Sequence, residues 1–297
     1  MSDSSVGFIG LGAMGFPMAK NLIKNKIPIV VFDIDEAKCA SIKELGAHVA
    51  TSPADVARLS NSIICMVETT AQVLEVINGH DGIMQAASPK HNIACMSTID
   101  PLEIKSLELK LKNRGVGFVD APVSGAVEGA TAGTLSIFAS GCSKAIAAFE
   151  RSFAAISRQV FNLGEAGQGT AAKLVNNMLF QVNNVAVAEA ITLGLAAGIN
   201  PQILYELIKV SSGNSFAFQI RAPRMLNKDF TPGGKVDISY KDQELQTSLA
   251  KSLGVITPLT AISQQVYEMA KGLGYGREDG SAVIKVYELM SKKRNYQ

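Results

Sequence analysis

Val6-Gly-Phe-Ile-Gly10 is a short apolar run that ends in Gly10-Leu-Gly12-Ala-Met-Gly15 and passes straight into a helical pattern. In such a strand–turn–helix, Gly10 permits the tight turn, Gly12 lets backbone N–H groups approach a pyrophosphate, and Gly15 allows the helix to pack closely on the strand. The glycine spacing alone is common and gains meaning only from context: an apolar strand before it, a helix after it, and an acidic residue ending the next strand. All three are present, because Asp33 closes Ile29-Val-Val-Phe-Asp33, where a carboxylate accepts hydrogen bonds from an adenine ribose. That carboxylate also repels a 2′-phosphate, and Phe32, Ile34 and Asp35 offer no arginine to accept one, so NAD is expected over NADP. Lys38 is the one nearby cation that blurs this preference.

Short β-branched runs then alternate with amphipathic helical patterns, the signature of a parallel sheet with helical crossovers. Strands are predicted at Val6–Gly10, Pro28–Asp33, Ser62–Val67, Asn92–Ser97, Gly117–Val119, Leu135–Ser140 and Gln159–Asn162, with helices beginning near Ala13, Asp35, Pro53, Thr70, Pro101 and Lys144. Pro53 and Pro101 suit a first helical turn, behind the N-cap candidates Ser52 and Asp100. A Rossmann-type doubly wound α/β domain is therefore expected over residues 1–163. After Gly164-Glu-Ala-Gly-Gln-Gly169 the strand signal stops. A long helix from about Gln168 to Ala197 and helices near 201–209, 214–227, 239–253, 257–272 and 280–292 predict an all-helical domain over 164–297, joined by that long interdomain helix. Its apolar residues, including Leu174, Val175, Met178, Leu179, Val182, Val185 and Val187, lie on most faces, which predicts burial all round by other helices or a second subunit, hence a homodimer or homotetramer.

Composition narrows the function classes. Among 297 residues, 28 Lys+Arg against 26 Asp+Glu leave no electrostatic footprint for nucleic acid or an anionic membrane, and the Lys292-Lys293-Arg294 cluster reads as a solvated tail. Uncharged stretches such as Leu174 to Ala188 carry Asn176, Asn177, Gln181, Asn183 and Asn184 and read as too polar for a membrane span. Met1-Ser-Asp-Ser-Ser lacks the basic and apolar regions of a signal peptide, so a soluble cytoplasmic protein is expected. Cys39, Cys65, Cys95 and Cys142 are scattered with no close histidine, which predicts buried spectator thiols and no metal site. His48, His80 and His91 all fall in the first third, so an acid/base other than histidine is expected.

Tyr-x-x-x-Lys occurs at Tyr205–Lys209 and Tyr267–Lys271, both of which read better as amphipathic helix surface than as a short-chain dehydrogenase signature. Lys173 and Asn177 are one turn apart on the long helix and share a face. A lysine has a reference pKa of about 10.4, and desolvation or a neighbouring cationic ring lowers it toward acid/base use. On spacing alone, a lysine near a helix start with a tolerated asparagine reads as well. Asp120-Ala-Pro-Val-Ser-Gly125 ends a strand on the ligand side of the sheet, where Ser124 and the Gly125 N–H can hold a carboxylate or hydroxyl; a plain strand-to-helix turn is the alternative.

Taken in order, Gly7-Phe-Ile-Gly-Leu-Gly-Ala-Met-Gly15, Asp120-Ala-Pro-Val-Ser-Gly125, Lys173/Asn177 after Gly167-Gln-Gly169, and Lys241-Asp242 make the chain resemble the β-hydroxyacid dehydrogenases over nearly its whole length. The resemblance implies Lys173 as catalytic acid/base, with Ser124, Gly125, Asn177 and Asp242 holding the substrate. It implies cofactor contacts from Gly10, Leu11, Gly12, Ala13, Met14, Gly15, Asp33, Val67, Glu68, Gln72, Thr98 and Lys241. Members oxidise an alcohol on a short carboxylic acid reversibly with a nicotinamide cofactor. Gly213-Asn-Ser, Arg221-x-Pro-x-Met-Leu226, Asp229-Phe-Thr-Pro232 and Ser281-Ala-Val-Ile-Lys285 are similar to the L-threonate type, and the last also to 2-hydroxymethylglutarate dehydrogenase. Ala126 stands where most members repeat Gly, Gly234 where many place a Phe, and Gln243 where Leu is usual, which implies a looser pocket for a polar or larger hydroxy acid. An imine reductase, in which the lysine is usually replaced, and a non-catalytic dinucleotide-binding module are the alternatives; the intact Lys173/Asn177 pair argues against both.

Overall fold

The structure, a computed structural model, describes residues 5–291. The basic cluster Lys292-Lys293-Arg294 and the start Met1-Ser-Asp-Ser4 lie outside the described residues. Nine strands, β1 (Val6–Ile9), β2 (Ile29–Phe32), β3 (His48–Val49), β4 (Ser62–Cys65), β5 (Asn92–Cys95), β6 (Gly117–Asp120), β7 (Val123–Ser124), β8 (Leu135–Gly141) and β9 (Ser157–Asn162), make one sheet among the described residues. The order is β3-β2-β1-β4-β5-β6-β8-β7, with β9 pairing β8. The strands from β3 to β6 are parallel, β8 runs antiparallel to β6 and β7, and β9 is parallel to β8.

Why the central strands read as unbroken apolar runs is visible in their neighbours. Phe8, Val31, Ile64, Ala94 and Val119 pack into one core on one face of the sheet. Their sequence neighbours Ile9, Val30, Ile63, Cys65, Ile93 and Phe118 pack into a second core on the other. A strand buried on both faces has no polar side to alternate with. The helices that cover these faces start where local chemistry provides caps. Ser52 accepts from the Asp55 N–H ahead of Pro53–Leu59, and Asp100 accepts from the Leu102 N–H ahead of Pro101–Lys112, as expected from the sequence.

The sequence reading missed β3 and β7, each only two residues long, and the helices Ala126–Ala132 and Glu150–Ile156. The first of these helices follows Gly125 at φ 135° and opens on Ala126 at φ 53°, a start that no side-chain cap announces. The expected helix at 280–292 is a 3-10 turn, Gly280–Val283, followed by Ile284–Met290. Cys39, Cys65 and Cys95 are buried, but Cys142 is exposed because it sits in the turn after β8, just ahead of the helix Ser143–Ala147. His91 is buried and structural, with Nε2 at 2.8 Å from the Ala57 carbonyl and Nδ1 facing Ser88.

The chain divides into two compact units between Lys173 and Leu174. The strand signal ends ten residues earlier, at 163, but the first turns of the helix Gln168–Ala196 are hydrogen-bonded to the sheet and belong with it: the Gly169 N–H donates to Ser140 Oγ and the Thr170 N–H to Asp120 Oδ2.

The second unit is all-helical among the described residues, with Pro201–Lys209, Phe216–Leu226, Val236–Ser252, Pro258–Gly272 and Ile284–Met290. Its core gathers Val185, Ala188, Ile191, Phe218, Met225, Val266, Tyr267 and Val283. The long helix is not buried all round, since Val175, Leu179 and Leu193 are exposed. By length and composition it could cross a membrane, contrary to the sequence reading. Yet Gln181 Nε2 donates to the Ser239 carbonyl and Asn184 Nδ2 to Tyr267 Oη and the Gly280 carbonyl, the wiring of a helix inside a protein bundle.

Candidate active site

The sheet order reverses between β1 and β4, and the chain leaves their carboxyl ends toward opposite sides; this is the place where doubly wound sheets bind ligands. Gly10 follows β1 with φ 98°, and a Cβ there would collide with the Met66 carbonyl beyond β4. Gly15 lies so close to the Gly10 carbonyl that a Cβ would collide with it too. Gly12 is the opposite case: a Cβ there would meet nothing of the protein within 4 Å. The loop therefore needs Gly10 and Gly15 to fold, whereas the open space at Gly12 fits the close approach of a diphosphate. The helix Gly15–Lys24 begins at Met14 with no side-chain cap and no acidic residue in its first turn, so its N-terminal dipole is not offset by a local carboxylate.

Asp33 sits beside this loop, accepting from the backbone N–H of Leu11 and, at 2.8 Å, from that of Asp35. Leu11 points its side chain into the core, so only its backbone is available to a ligand, while Gly12 and Ala13 are exposed and Met14 half-buried. Lys38 pairs with Asp35 at 3.2 Å, which lowers the Asp35 carboxyl from its ordinary range. Val67 donates its N–H to Ser97 Oγ at 2.9 Å. Gln72 turns its carbonyl oxygen back onto the N–H groups of Glu68 and Thr69, forming a capping box with Thr69. Thr98, half-buried, follows β5. Gly10 to Gly15, Asp33, Val67, Glu68, Gln72 and Thr98 thus gather at the carboxyl ends of β1, β2, β4 and β5.

A second set grows from the end of β6. Asp120 has no exposed surface and gathers four donors: Ser140 Oγ at 3.1 Å, the Gly167 N–H at 3.1 Å and the Thr170 N–H at 2.8 Å on Oδ2, and Thr170 Oγ1 at 2.5 Å on Oδ1. Burial pushes its carboxyl above the ordinary range, and these hydrogen bonds only partly offset that. Four residues on, Ser124 is half-buried in β7 and Gly125 is exposed; Lys173 is half-buried one turn beyond Thr170. Sequence reading singled out Asp120–Gly125 and Gly167–Gly169 as motifs without finding that Asp120, Ser140 and Thr170 bind one another. The signal available was a glycine-rich turn after a strand-ending aspartate, too general to pair them.

Within the second unit, Asn177 Nδ2 donates to Asp242 Oδ2 at 2.7 Å, and Lys241 Nζ lies 3.2 Å from Asp242 Oδ1. The structure brings these three expected residues together. Gly234 lies elsewhere in this unit, its N–H donating to Asp279 Oδ2 at 3.1 Å. Asp279 is buried, which raises a carboxyl, but the charge of Arg221 and the N–H groups of Ser281 and Gly234 outweigh this and hold it down at about 2. Gln243 is fully buried, with its amide on the Ser239 carbonyl, so it packs the bundle and presents no surface.

Comparison with known proteins matches this layout. Residues 5–164 fit the NAD binding domain of 6-phosphogluconate dehydrogenase, and residues 167–287 fit the domain described as NAD-binding of NADP-dependent 3-hydroxyisobutyrate dehydrogenase. The chain is 36% identical to 2-(hydroxymethyl)glutarate dehydrogenase of Eubacterium barkeri, over 96% of this chain and 95% of that one. It is 34% identical to L-threonate dehydrogenase of Cupriavidus necator, over 95% and 96%. A crystal structure of 3-hydroxyisobutyrate dehydrogenase from Salmonella typhimurium superposes with a TM-score of 0.87 at 30% identity, covering 96% of this chain and all of that one. The chain belongs to the β-hydroxyacid dehydrogenases, the 3-hydroxyisobutyrate dehydrogenase-like family of nicotinamide-dependent oxidoreductases.

Proposed function

We propose that the chain interconverts a short hydroxy acid and its oxo acid or semialdehyde, using NAD in preference to NADP, with Lys173 as general acid/base. The observation that carries the reading is the Asn177 amide, held by Asp242 at 2.7 Å and one turn after Lys173 on a continuous helix. With Nδ2 on a carboxylate, Oδ1 faces the other way; it accepts from Asn176 Nδ2 at 3.2 Å and keeps a second lone pair for a substrate hydroxyl. When bound, the nicotinamide ring accepts or supplies the hydride. In oxidation Lys173 takes the hydroxyl proton as the carbon gives up hydride, and in reduction it returns that proton to the oxygen. In this reading Ser124 Oγ and the Gly125 N–H hold the substrate carboxylate, and Asn177 orients the reacting oxygen.

The cofactor preference is supported by Asp33 beside the loop and by Lys38, whose charge is paired with Asp35. The substrate is a short hydroxy acid of the L-threonate, 3-hydroxyisobutyrate, 2-hydroxymethylglutarate or tartronate semialdehyde kind, a reading supported by relatives named for the first three. Exposed Val175, Leu179, Leu193, Ile256, Leu259 and Ile262 favour a homodimer or homotetramer, which light scattering measures directly. We place the enzyme in the cytoplasm as a soluble protein.

The deciding experiment is a panel of 2- and 3-hydroxy acids with NAD and NADP, read at the absorbance of the reduced nicotinamide. It is repeated with Lys173→Ala, which is expected to lose about 100- to 10,000-fold in kcat while still binding dinucleotide. Turnover of cyclic imines without turnover of any hydroxy acid would refute the reading.

A further inference from the structure

Asp120 begins the same six-residue segment that ends in Ser124 and Gly125, and its carboxylate is committed to the start of another element. Two of its four donors, the Thr170 N–H at 2.8 Å and Thr170 Oγ1 at 2.5 Å, come from the first turn of the helix Gln168–Ala196. A third, the Gly167 N–H at 3.1 Å, comes from the residue just before it. Helix starts leave N–H groups without intrahelical partners, and these are ordinarily met by a side chain a few residues upstream. Here the first turn contains no acidic residue, and the cap comes from a residue fifty positions earlier. Ser140 completes the joint, donating to Asp120 Oδ2 while accepting from the Gly169 N–H at 2.9 Å. Gly169 lies so close to the Phe138 and Asp120 carbonyl groups that a Cβ would collide with them, so the helix is pressed onto the strands with no slack. Lys173 follows Thr170 by three residues, about 4.5 Å further along the axis.

We infer that Asp120 is a positioning residue for Lys173, and that the segment Asp120–Gly125 acts as a ruler between the proton-transferring amine and the substrate clamp. One end of the segment fixes the axial height and rotation of the turn that leads into Lys173. The other carries Ser124 and Gly125. Their separation is set by six residues of one backbone, with no dependence on two elements finding each other independently. Without the cap the first turn frays or slides, and a displacement of about 1 Å at the chemistry costs about 100-fold in rate. The inference rests on the roles of Lys173 and Ser124 proposed above.

Asp120→Ala, Asp120→Asn and Lys173→Ala in the full chain separate the possibilities, with steady-state kinetics, dinucleotide titration and thermal melting on each. Asp120→Ala is expected to lower kcat about 100-fold while leaving the dinucleotide Kd and the substrate KM within about threefold. Asp120→Asn is expected to recover most of that loss. Its carbonyl can take the three donors of Oδ2, and its amide can donate to the Thr170 hydroxyl, which turns to accept. Full kcat in a folded Asp120→Ala, or no recovery in Asp120→Asn, overturns the inference. Should Asp120→Ala not fold, Thr170→Val decides: it removes one donor and keeps the backbone, so a lowered kcat at unchanged KM supports the ruler and an unchanged kcat overturns it. Full turnover in Lys173→Ala refutes the acid/base reading and the inference with it, whereas an inactive Lys173→Ala beside a fully active Asp120→Ala overturns the inference alone.

Discussion

Two glycine turns in the first unit do the same geometric job and leave opposite chemistry behind. Gly10 to Gly15 and Gly164 to Gly169 each carry a chain from a strand into a helix, each with a glycine at positive φ, Gly10 at 98° and Gly167 at 93°. In each, the last glycine lies where a Cβ would strike a carbonyl of the sheet side, Gly15 against Gly10 and Gly169 against Phe138. At the first turn the helix has no side-chain cap and Gly12 faces open space. At the second, the helix start is filled by the protein's own carboxylate, Asp120. A helix N-terminus attracts negative charge in either case. Where the carboxylate caps the helix's own first turn, as Asp120 does, the turn becomes a joint; where it reaches only the Leu11 N–H at the start of the loop, as Asp33 does, the helix's own N–H groups are left for a ligand's phosphates.

Adding one methyl group to the closing glycine of each turn tests the contrast most strongly. Gly15→Ala and Gly169→Ala both force a Cβ into backbone oxygen, and overpacking of this kind costs about 1–3 kcal/mol. Similar falls in melting temperature are expected. Function should divide: Gly15→Ala loses dinucleotide binding, whereas Gly169→Ala keeps it and loses kcat. Titration with the oxidised dinucleotide, followed by single-turnover kinetics at saturation, reads both. If Gly169→Ala weakened dinucleotide binding as much as Gly15→Ala, the division of labour between the two turns would be wrong.

How much of this the sequence shows depends on the range of each interaction. The first turn is legible because all its parts are local: an apolar strand, three spaced glycines and Asp33 at the end of the next strand. Pro53 and Pro101 with their caps Ser52 and Asp100 are legible for the same reason. The second turn is visible as a glycine-rich break, but its partner lies fifty residues away, and an aspartate at a strand end is too ordinary to announce a distant helix. The Asn177–Asp242 bond spans 65 residues, so the family resemblance named both residues without showing that one orients the other. Two-residue strands such as β3 and β7 carry too few side chains for a period to appear. Nor does apolar composition say what covers it: Leu174 and Val185 are buried, while Val175, Leu179 and Leu193 on the same helix are not.

A gentler substitution isolates the open half of the comparison. Gly12→Ala adds a methyl group where the protein has nothing within 4 Å and where φ is not in the left-handed region, so no steric cost is expected in the free enzyme. Replacing glycine at a compatible site commonly adds about 0.4–1 kcal/mol of stability by restricting the unfolded chain. Dinucleotide affinity is expected to fall about tenfold, equivalent to about 1.4 kcal/mol, because the methyl group occupies the space reserved for the diphosphate. A variant that is at least as stable as the parent yet binds less cofactor would show that this glycine serves the ligand alone. Unchanged affinity would place the diphosphate elsewhere.

The smallest expected effect concerns the carboxylate that seals the second turn. Asp120 is ringed by hydroxyl and N–H donors, and burial raises its carboxyl above the ordinary 3.8. For an acid whose folded pKa lies above its unfolded one, the native state holds its proton more tightly. Its contribution is then fully present below the unfolded pKa and is lost as pH rises through the folded pKa. Relative to Asp120→Asn, which cannot titrate, the parent protein should therefore gain stability as the pH is lowered from neutrality toward 4. Asp279 in the second unit behaves in the opposite sense: Arg221 and the surrounding N–H groups hold it at about 2, so its contribution is present above 3.8 and disappears as pH falls toward 2. Urea midpoints of the parent, Asp120→Asn and Asp279→Asn, measured at half-unit steps between pH 4 and 7, separate the two, since the Asp279 contribution is nearly constant in that window. A parent-minus-Asp120→Asn difference that stayed flat would mean that the hydrogen bonds to Asp120 balance its burial, and one that fell on acidification that they outweigh it and favour the ionised form, in the same sense as Arg221 at Asp279.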